Sequence, residues 1–346
     1  MREKKTTIYD LAQELGASPS TVSAVLNGTW KARRIKEATA EHILKAATES
    51  GYSANLQARG LRKSRSGLIG MIIPMHHNRY FGTLSHEFEL EARKRGLCPV
   101  IVSTLRNPDE ERRTVEQLVS YNVESIAITG ATDPDAISRI CTNAGIRHVN
   151  IDLPGTLAPS VISDNFWGAA ALTDAMVNHL SASRREAKPP FFFIGGTTDD
   201  YATRSRIEGF KDIHIKRLSP FSPNQIRTDG YDPIIAESTV RKLYDDLGGL
   251  PSGLFVNSMI AFEGVVRFLK TLNIKEINGS VIGCYDWDPF AESLHFPVIM
   301  ARQKTELLVS AAFKLLDEPV QQPAAIVEIK PEILVSPILT ATPDEY

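Results

Sequence analysis

The chain has 346 residues, 42% apolar and 23% charged, with a formal net charge of -2. That length exceeds one small core, the composition is ordinary for a soluble globular protein, and no run reaches the roughly 18 apolar residues of a membrane helix. The charge is unevenly laid: 12 Lys and Arg stand against 6 Asp and Glu through Ser66, and 27 against 35 beyond it, so a +6 head precedes a -8 body, as suits a head that meets a polyanion.

Met1 to Asp10 is charged and polar and lacks an apolar signal-peptide core, which predicts a cytoplasmic protein. From Thr6 to Asn27 the pattern is two short helices around a tight turn. Ile8, Leu11, Ala12 and Leu15 recur at helical spacing, and Gly16 ends that helix. Ser18 is a good N-cap, and Pro19 suits the first helical position. Val22, Val25 and Leu26 form the inward stripe of the second helix, which leaves Pro19, Ser20, Ser23 and Ala24 facing out. A small, hydroxyl-rich outer face allows close approach to DNA, with the helix in the major groove. A third helix is predicted over 37–50, with Ile43, Leu44 and Ala47 on one side and Gly51 as its stop. Residues 55–65 are Arg-rich, with Leu56 and Leu61 the large apolar residues, and read as a segment that orders on a partner.

The runs TTIYDLAQELGASPSTVSAVLNG and EATAEHILKAATESGYSANLQARGLRKSRSGLIGMIIP resemble the head and hinge of the LacI-type (lac repressor-like) bacterial regulators. The resemblance implies that Ser20, Thr21 and Ser23 reach phosphates or base edges and Asn27 the DNA backbone, with Thr7 and Ser18 as further DNA-binding candidates. Pro19, Ser20 and Ala24 fall where the family reads sequence. Arg59 and Arg62 fall beside phosphates, and Leu61 where a hinge leucine wedges into the minor groove. Two departures stand out. The loop GTWKARRI is longer than in the best-known members, so Trp30, Lys31, Arg33 and Arg34 can add backbone contacts, and Ala24 replaces a long polar side chain.

Beyond the hinge, apolar runs alternate with helical patterns. GLIGMIIP, PVIVS, SIAITG and RHVNID read as buried parallel strands, separated by helices over 81–94, 109–120 and 134–144. A second series starts near Val161, with strands FFFIGG, SGLFVN and GSVIGCYD and helices over 167–181, 204–213, 232–247 and 259–272. This rhythm predicts doubly wound parallel sheets. Cys98, Cys141 and Cys284 are isolated and are expected to be reduced, buried and free of metal. With the late strands PVIMAR and AAIVEI crossing back, the body fits the two-lobed, periplasmic-binding-protein-like fold that the resemblance implies. The expected division is a helix-turn-helix head over 1–52, a hinge over 53–66 and a body over 67–346. Its first lobe takes about 67–162 and 303–330, and its second about 163–302 and 331–346.

Ligands in such sheets sit outside the carboxyl ends of the strands, where polar residues without a packing role collect. Asn78, Arg79, Tyr80, Phe81, Asp152, Asp164, Asn165, Arg206, Asn257, Asp286 and Gln303 all fall at such places, though Asp164 and Asn165 could equally cap the helix near Trp167. The resemblance maps Tyr80, Phe81, Asp152, Arg206, Tyr231, Asn257, Asp286 and Gln303 onto an effector site, and Asp164 joins the candidates by its place after the lobe crossover. The choice between Asp286 and Asp288 in CYDWDP stays open. Such a set suits a polyol, its hydroxyls met by Asp, Asn and Arg and its apolar face by Tyr and Phe. The implied partners are a palindromic double-stranded operator, a small molecule, with a sugar or sugar derivative favoured, and a second copy of the chain. A purine or other planar metabolite is the alternative ligand, and a transport binding protein the rival class, which would need a secretory signal and no basic head. No G-x-S-x-G, HExxH, Walker or G-x-G-x-x-G pattern is present, so neither an enzyme nor a cofactor is expected. The final ATPDEY carries no leucine heptad, so a dimer without a tetramerising tail is expected.

Overall fold

The computed structural model describes residues 6–52, 66–182, 190–218, 220–319 and 324–336. Arg59, Leu61 and Arg62 lie outside the described residues. The chain forms two compact units, Met1–Gly67 and Leu68–Tyr346.

Three helices make the first unit: α1 (Ile8–Glu14), α2 (Pro19–Leu26) and α3 (Glu37–Glu49). Their ends have local causes. The Thr7 hydroxyl accepts from the Asp10 amide, and the Asp10 carboxylate accepts from the Thr7 amide, a reciprocal cap. Gly16 turns the chain at φ 58°, a conformation cheap only without a Cβ. Ser18 Oγ then accepts from Thr21 N at 3.1 Å, and Pro19 opens α2. Leu11, Ala12, Val22, Val25, Ala40, Ile43 and Ala47 close on one another as the core, with Trp30 and Tyr52 packed against them. Two expectations are corrected here. Leu44 is 45% exposed, because the buried row of α3 runs through Ala40, Ile43 and Ala47, and Leu44 is turned one residue past it. Ala24 is buried rather than outward, and its carbonyl accepts from both the amide and the hydroxyl of Thr29 at the start of the long loop.

The body holds two six-stranded sheets. In the first, β1 (Leu68–Ile73), β2 (Cys98–Ser103), β3 (Ser125–Thr129), β4 (Arg147–Ile151), β5 (Ser160–Ser163) and β11 (Ile326–Ile329) lie in the order β11-β5-β4-β3-β1-β2, all parallel. In the second, β6 (Phe191–Ile194), β7 (Ile226–Arg227), β8 (Gly253–Val256), β9 (Val281–Tyr285), β10 (Val298–Arg302) and β12 (Glu332–Val335) lie in the order β12-β10-β9-β8-β6-β7, with β12 antiparallel to β10. The doubly wound parallel architecture expected from the apolar runs is the one observed. PVIVS, read as a buried strand, is the partly exposed edge strand β2, and Cys98 at its start is exposed, not buried. Cys141 and Cys284 are buried as expected.

Helices cover both faces. The first sheet carries α4 (Arg79–Lys94), α5 (Pro108–Ser120) and α6 (Pro134–Asn143); the second carries α7 (Asn165–Ala182), α8 (Tyr201–Arg217), α9 (Pro233–Leu247), α10 (Met259–Leu269) and the short α11 (Ile274–Ile277). One further helix, α12 (Thr305–Asp317), was not anticipated. Its Leu308, Val309, Ala312, Phe313 and Leu316 pack with Leu84 and Phe88 of α4 on the first sheet. The chain therefore passes between the lobes three times: from β5 into α7, from β10 through Gln303 into α12, and from β11 through Lys330 and Pro331 into β12. Among the described residues no helix is long and apolar enough to cross a membrane.

Candidate functional site

In the first unit the candidate residues sit on α2 and its flanks. Ser18, Pro19, Ser20 and Asn27 are exposed, and Thr21 and Ser23 are half-buried. Several hydroxyls are engaged locally. Ser18 Oγ lies 2.8 Å from both Ser20 Oγ and Thr21 Oγ1, and Asn27 Nδ2 donates to Ser23 O at 2.7 Å. These bonds fix the side chains without consuming all their donors and acceptors, since each hydroxyl gives one proton and offers two lone pairs. One feature escaped the sequence reading. Tyr9 is 68% exposed on α1, where it falls off the apolar stripe of Ile8, Leu11, Ala12 and Leu15. The Lys31 ammonium sits 5.2 Å from the Trp30 ring centre, and Arg33 and exposed Arg34, the latter at φ 56°, continue the basic loop.

In the body, seven of the nine candidate effector residues line one cleft of ≈ 230 Å³: Tyr80, Phe81, Asp152, Arg206, Tyr231, Asp286 and Gln303. They come from the carboxyl ends of strands in both sheets. Asp152 follows β4 and Asp286 follows β9, the third strand from the corresponding edge in each lobe. Both adopt left-handed backbone, φ 76° and 94°, held by bonds from Asp152 N to Val161 O and from Asp286 N to Ala301 O. A non-glycine residue in that region costs of order 1 kcal/mol and is retained where the surroundings impose it.

Arg206 on α8 is buried at the centre. Its Nε donates to Asn165 Oδ1 at 2.8 Å, one terminal nitrogen donates to Asn257 O at 2.7 Å, and the guanidinium lies 3.7 Å from the centre of the Tyr285 ring. Asn257 is thus fully buried behind Arg206 rather than on the cleft wall; its Nδ2 donates to Thr203 Oγ1 at 3.0 Å. Asp164 accepts from Trp167 N at 2.9 Å and caps α7, away from the lining. Gln303 joins the lobes: Ser163 Oγ donates to its Oε1 at 2.5 Å, and its Nε2 donates to Asp286 Oδ1 at 2.6 Å. Asp288 instead caps the turn at Phe290 and forms an ion pair with Arg79 across the two lobes, so Asp286 is the aspartate on the cleft wall.

Two charged lining residues were missed by the sequence reading, Arg106 and Asp200. Leu105 and Arg106 both take left-handed backbone, φ 54° and 53°, which turns Arg106 toward the second lobe, 5.9 Å from the Tyr231 ring centre. Asp200 caps α8, and its Oδ2 accepts from Tyr231 OH at 2.5 Å and Thr203 Oγ1 at 2.9 Å.

Burial pushes the Asp152 carboxyl up to about 6; nearby Asp200 adds to this, while Arg106 and Arg206 oppose it. Burial also raises Asp286, against Arg206 and the Gln303 hydrogen bond. For Asp200 burial is outweighed by the Tyr231 hydroxyl, the two guanidiniums and Thr203, so its carboxyl stays below the usual range. Tyr80 is raised by burial and by the Asp152 and Asp286 carboxylates. The cleft therefore offers three buried carboxylates, two guanidiniums and two phenol hydroxyls, with Phe81, Met75 and Ile260 as apolar wall.

A family model described as "Bacterial regulatory proteins, lacI family" matches residues 7–55. The chain is 52% identical over 193 residues to the ribitol operon repressor of Klebsiella aerogenes, covering 56% of this chain and 71% of that protein. It is 26% identical over 319 residues to the sucrose operon repressor of Klebsiella pneumoniae, covering 92% and 93%. Among solved structures, the lac repressor dimer bound to operator and the anti-inducer ONPF superposes with a TM-score of 0.79 at 19% identity, over 96% of this chain and 98% of that one. The Cra regulator of Pseudomonas putida in complex with fructose 1-phosphate superposes with a TM-score of 0.68 at 20% identity, over 78% and 98%.

Proposed function

This chain belongs to the lacI family of bacterial regulatory proteins, and on that premise we propose that it is a dimeric repressor of a palindromic operator, controlled by a carbohydrate or carbohydrate derivative bound between its lobes. The observation that carries the ligand is the convergence of strand-end polar groups from both sheets on one cleft. Its carboxylates accept from vicinal hydroxyls, and Phe81 and the Tyr rings meet the apolar face of the carbon skeleton. The similarity to repressors named for ribitol and sucrose operons supports the same class.

In this reading α2 enters the major groove, with Ser18, Pro19, Ser20, Thr21 and Ser23 nearest the DNA and Thr7 and Asn27 at its backbone. Arg59, Leu61 and Arg62 supply phosphate contacts and a minor-groove wedge. Two heads are needed because one helix-turn-helix buries too little surface for tight specificity. A ligand gripped by Asp152 and Tyr80 of one lobe and Arg206 and Asp286 of the other favours one lobe angle, and operator affinity responds by its differential affinity for the two states. Coupling of roughly 1–3 kcal/mol, about 5- to 150-fold, is usual for such systems.

The test combines two measurements on the intact chain. Fluorescence anisotropy with DNA from upstream of its own gene should give binding that weakens steeply with salt. A thermal-shift screen of sugars, polyols, sugar phosphates and purines should then find a ligand that adds about 2.7 kcal/mol at 100 times its Kd and changes the anisotropy titration. A ligand that shifts melting yet leaves operator affinity untouched would sink the coupling.

A further inference from the structure

We propose that the cleft selects an uncharged polyhydroxyl compound of single-sugar size and rejects its phosphate ester, and that the free oxygen of Asp200 makes that choice. The proposal rests on the carbohydrate reading of the cleft and sharpens it.

Asp200 is engaged on one side. Its Oδ2 accepts from the Tyr231 hydroxyl, the Thr203 hydroxyl and, at 3.3 Å, the Thr203 amide. Its Oδ1 is buried and has no hydrogen-bond partner among the described residues, while the residue lines the cleft. A buried acceptor without a donor costs about 1–3 kcal/mol, which a ligand hydroxyl removes. A sugar phosphate keeps its hydroxyls, but its phosphate end presents only acceptors and close to two negative charges at neutral pH, so that end cannot donate to the oxygen and is repelled by it. The donors on Oδ2 hold Asp200 ionised, so the clash is not relieved by protonation.

The rest of the cleft points the same way. Asp152 and Asp286 bring two more carboxylates into the same ≈ 230 Å³. Against them stand two guanidiniums among the lining residues. Arg206 has already committed Nε and a terminal nitrogen to Asn165 and Asn257 and its face to Tyr285. A phosphate needs several free donors, as helix N-termini or Arg clusters supply. A polyol gives and accepts at every hydroxyl: it can donate to Asp200, Asp152 and Asp286 and accept from Arg106. The volume lies below the roughly 300–1,000 Å³ of drug-sized pockets, which suits one sugar unit.

The experiment is isothermal titration calorimetry on the full chain at pH 7.5 and fixed salt, with matched pairs. Ribitol, xylitol, arabinitol, ribose and ribulose are each compared with their 5-phosphates, and inorganic phosphate is run beside them. At least one neutral compound should bind, with its ester about 30-fold weaker or worse, the equivalent of about 2 kcal/mol. Asp200→Asn keeps the helix cap and the side-chain shape; it should weaken the neutral ligand about tenfold and bring its ester to within about threefold of it. An ester that binds wild type as tightly as its parent overturns the selection and leaves the carbohydrate reading standing. Failure of every neutral compound and every ester overturns both. A variant that keeps the full wild-type gap removes Asp200 from the role. The wild-type pairs alone decide the selection should the variant not fold.

Discussion

Replacing Asp152 by Asn should make the protein more stable at neutral pH while blunting its response to ligand. Asp152 is 7% exposed and its carboxyl is pushed from 3.8 up to about 6, chiefly by burial. Between those two values the folded chain holds a proton that the unfolded chain has released. The favourable contribution is therefore complete below about pH 4 and is lost as pH rises through 6. A shift of about two units, at 1.36 kcal/mol each, makes the ionised carboxylate a burden of about 3 kcal/mol at pH 7.5. Asparagine removes the charge, keeps the shape, and is among the residues that best tolerate the φ of 76° found here. Thermal unfolding should show the variant melting higher than wild type at pH 7.5, by roughly 5 °C for about 3 kcal/mol in a unit of this size, with the gap closing toward pH 4. Ligand binding should move the other way. Hydroxyls that donate to the carboxylate favour its ionised form, so binding to wild type releases a proton and tightens as pH rises through 6, and the variant loses that slope. A melting difference that stays constant between pH 4 and 7.5 would refute the reasoning, because Asp152 would then titrate as an exposed carboxylate does.

Arg206→Ala should abolish the ligand response and also lower stability by about 3 kcal/mol, since it strands Asn165 and Asn257 and uncovers the Tyr285 ring; an unchanged urea midpoint would contradict the bonding described. Changing Lys31, Arg33 and Arg34 together to Ala should flatten the salt dependence of operator binding, by about 0.9 in log–log slope for each DNA phosphate left without its cation, and ligand affinity measured calorimetrically should not change. Leu61→Ala should weaken operator binding by a few kcal/mol per dimer and leave melting of the body unchanged, as read by anisotropy and calorimetry; equal operator affinity would remove the minor-groove wedge.

Much of the architecture was legible because it is written in periodicity. LIGMII, SIAIT, FFFI, GLFV and VIGCY are buried almost throughout, and each reads as a strand covered on both faces. Ser18, Pro19 and Gly16 mark the head because capping and left-handed turns have strong residue preferences. What periodicity does not encode is depth. CPVIVS is as apolar as its neighbours, yet it lies at a sheet edge, a matter of strand order alone. Arg106 and Asp200 were missed for a related reason. Arg106 enters the cleft through two consecutive left-handed residues, and Asp200 faces it through bonds to Thr203 and to Tyr231, 31 residues later. Neither the backbone reversal nor the long-range bond leaves a spacing to read. Asp164 and Asn257 look like wall residues by position, but one is spent on a cap and the other on holding Arg206.

The order in which the sheets are completed bears on how the chain is made. β11 closes one edge of the first sheet beside β5, and β12 closes the corresponding edge of the second beside β10, with two residues between them in sequence. On the ribosome, residues 68–302 can lay down ten strands while both β5 and β10 still face water with unpaired backbone. Each lobe then carries a bare strand edge, a template for pairing with another nascent copy, until the segment 326–335 emerges and covers both within a few residues. Translation pauses or chaperone engagement over this stretch would thus bear on the yield of native protein, and a stop placed between the two strands would leave one lobe finished and its neighbour adhesive.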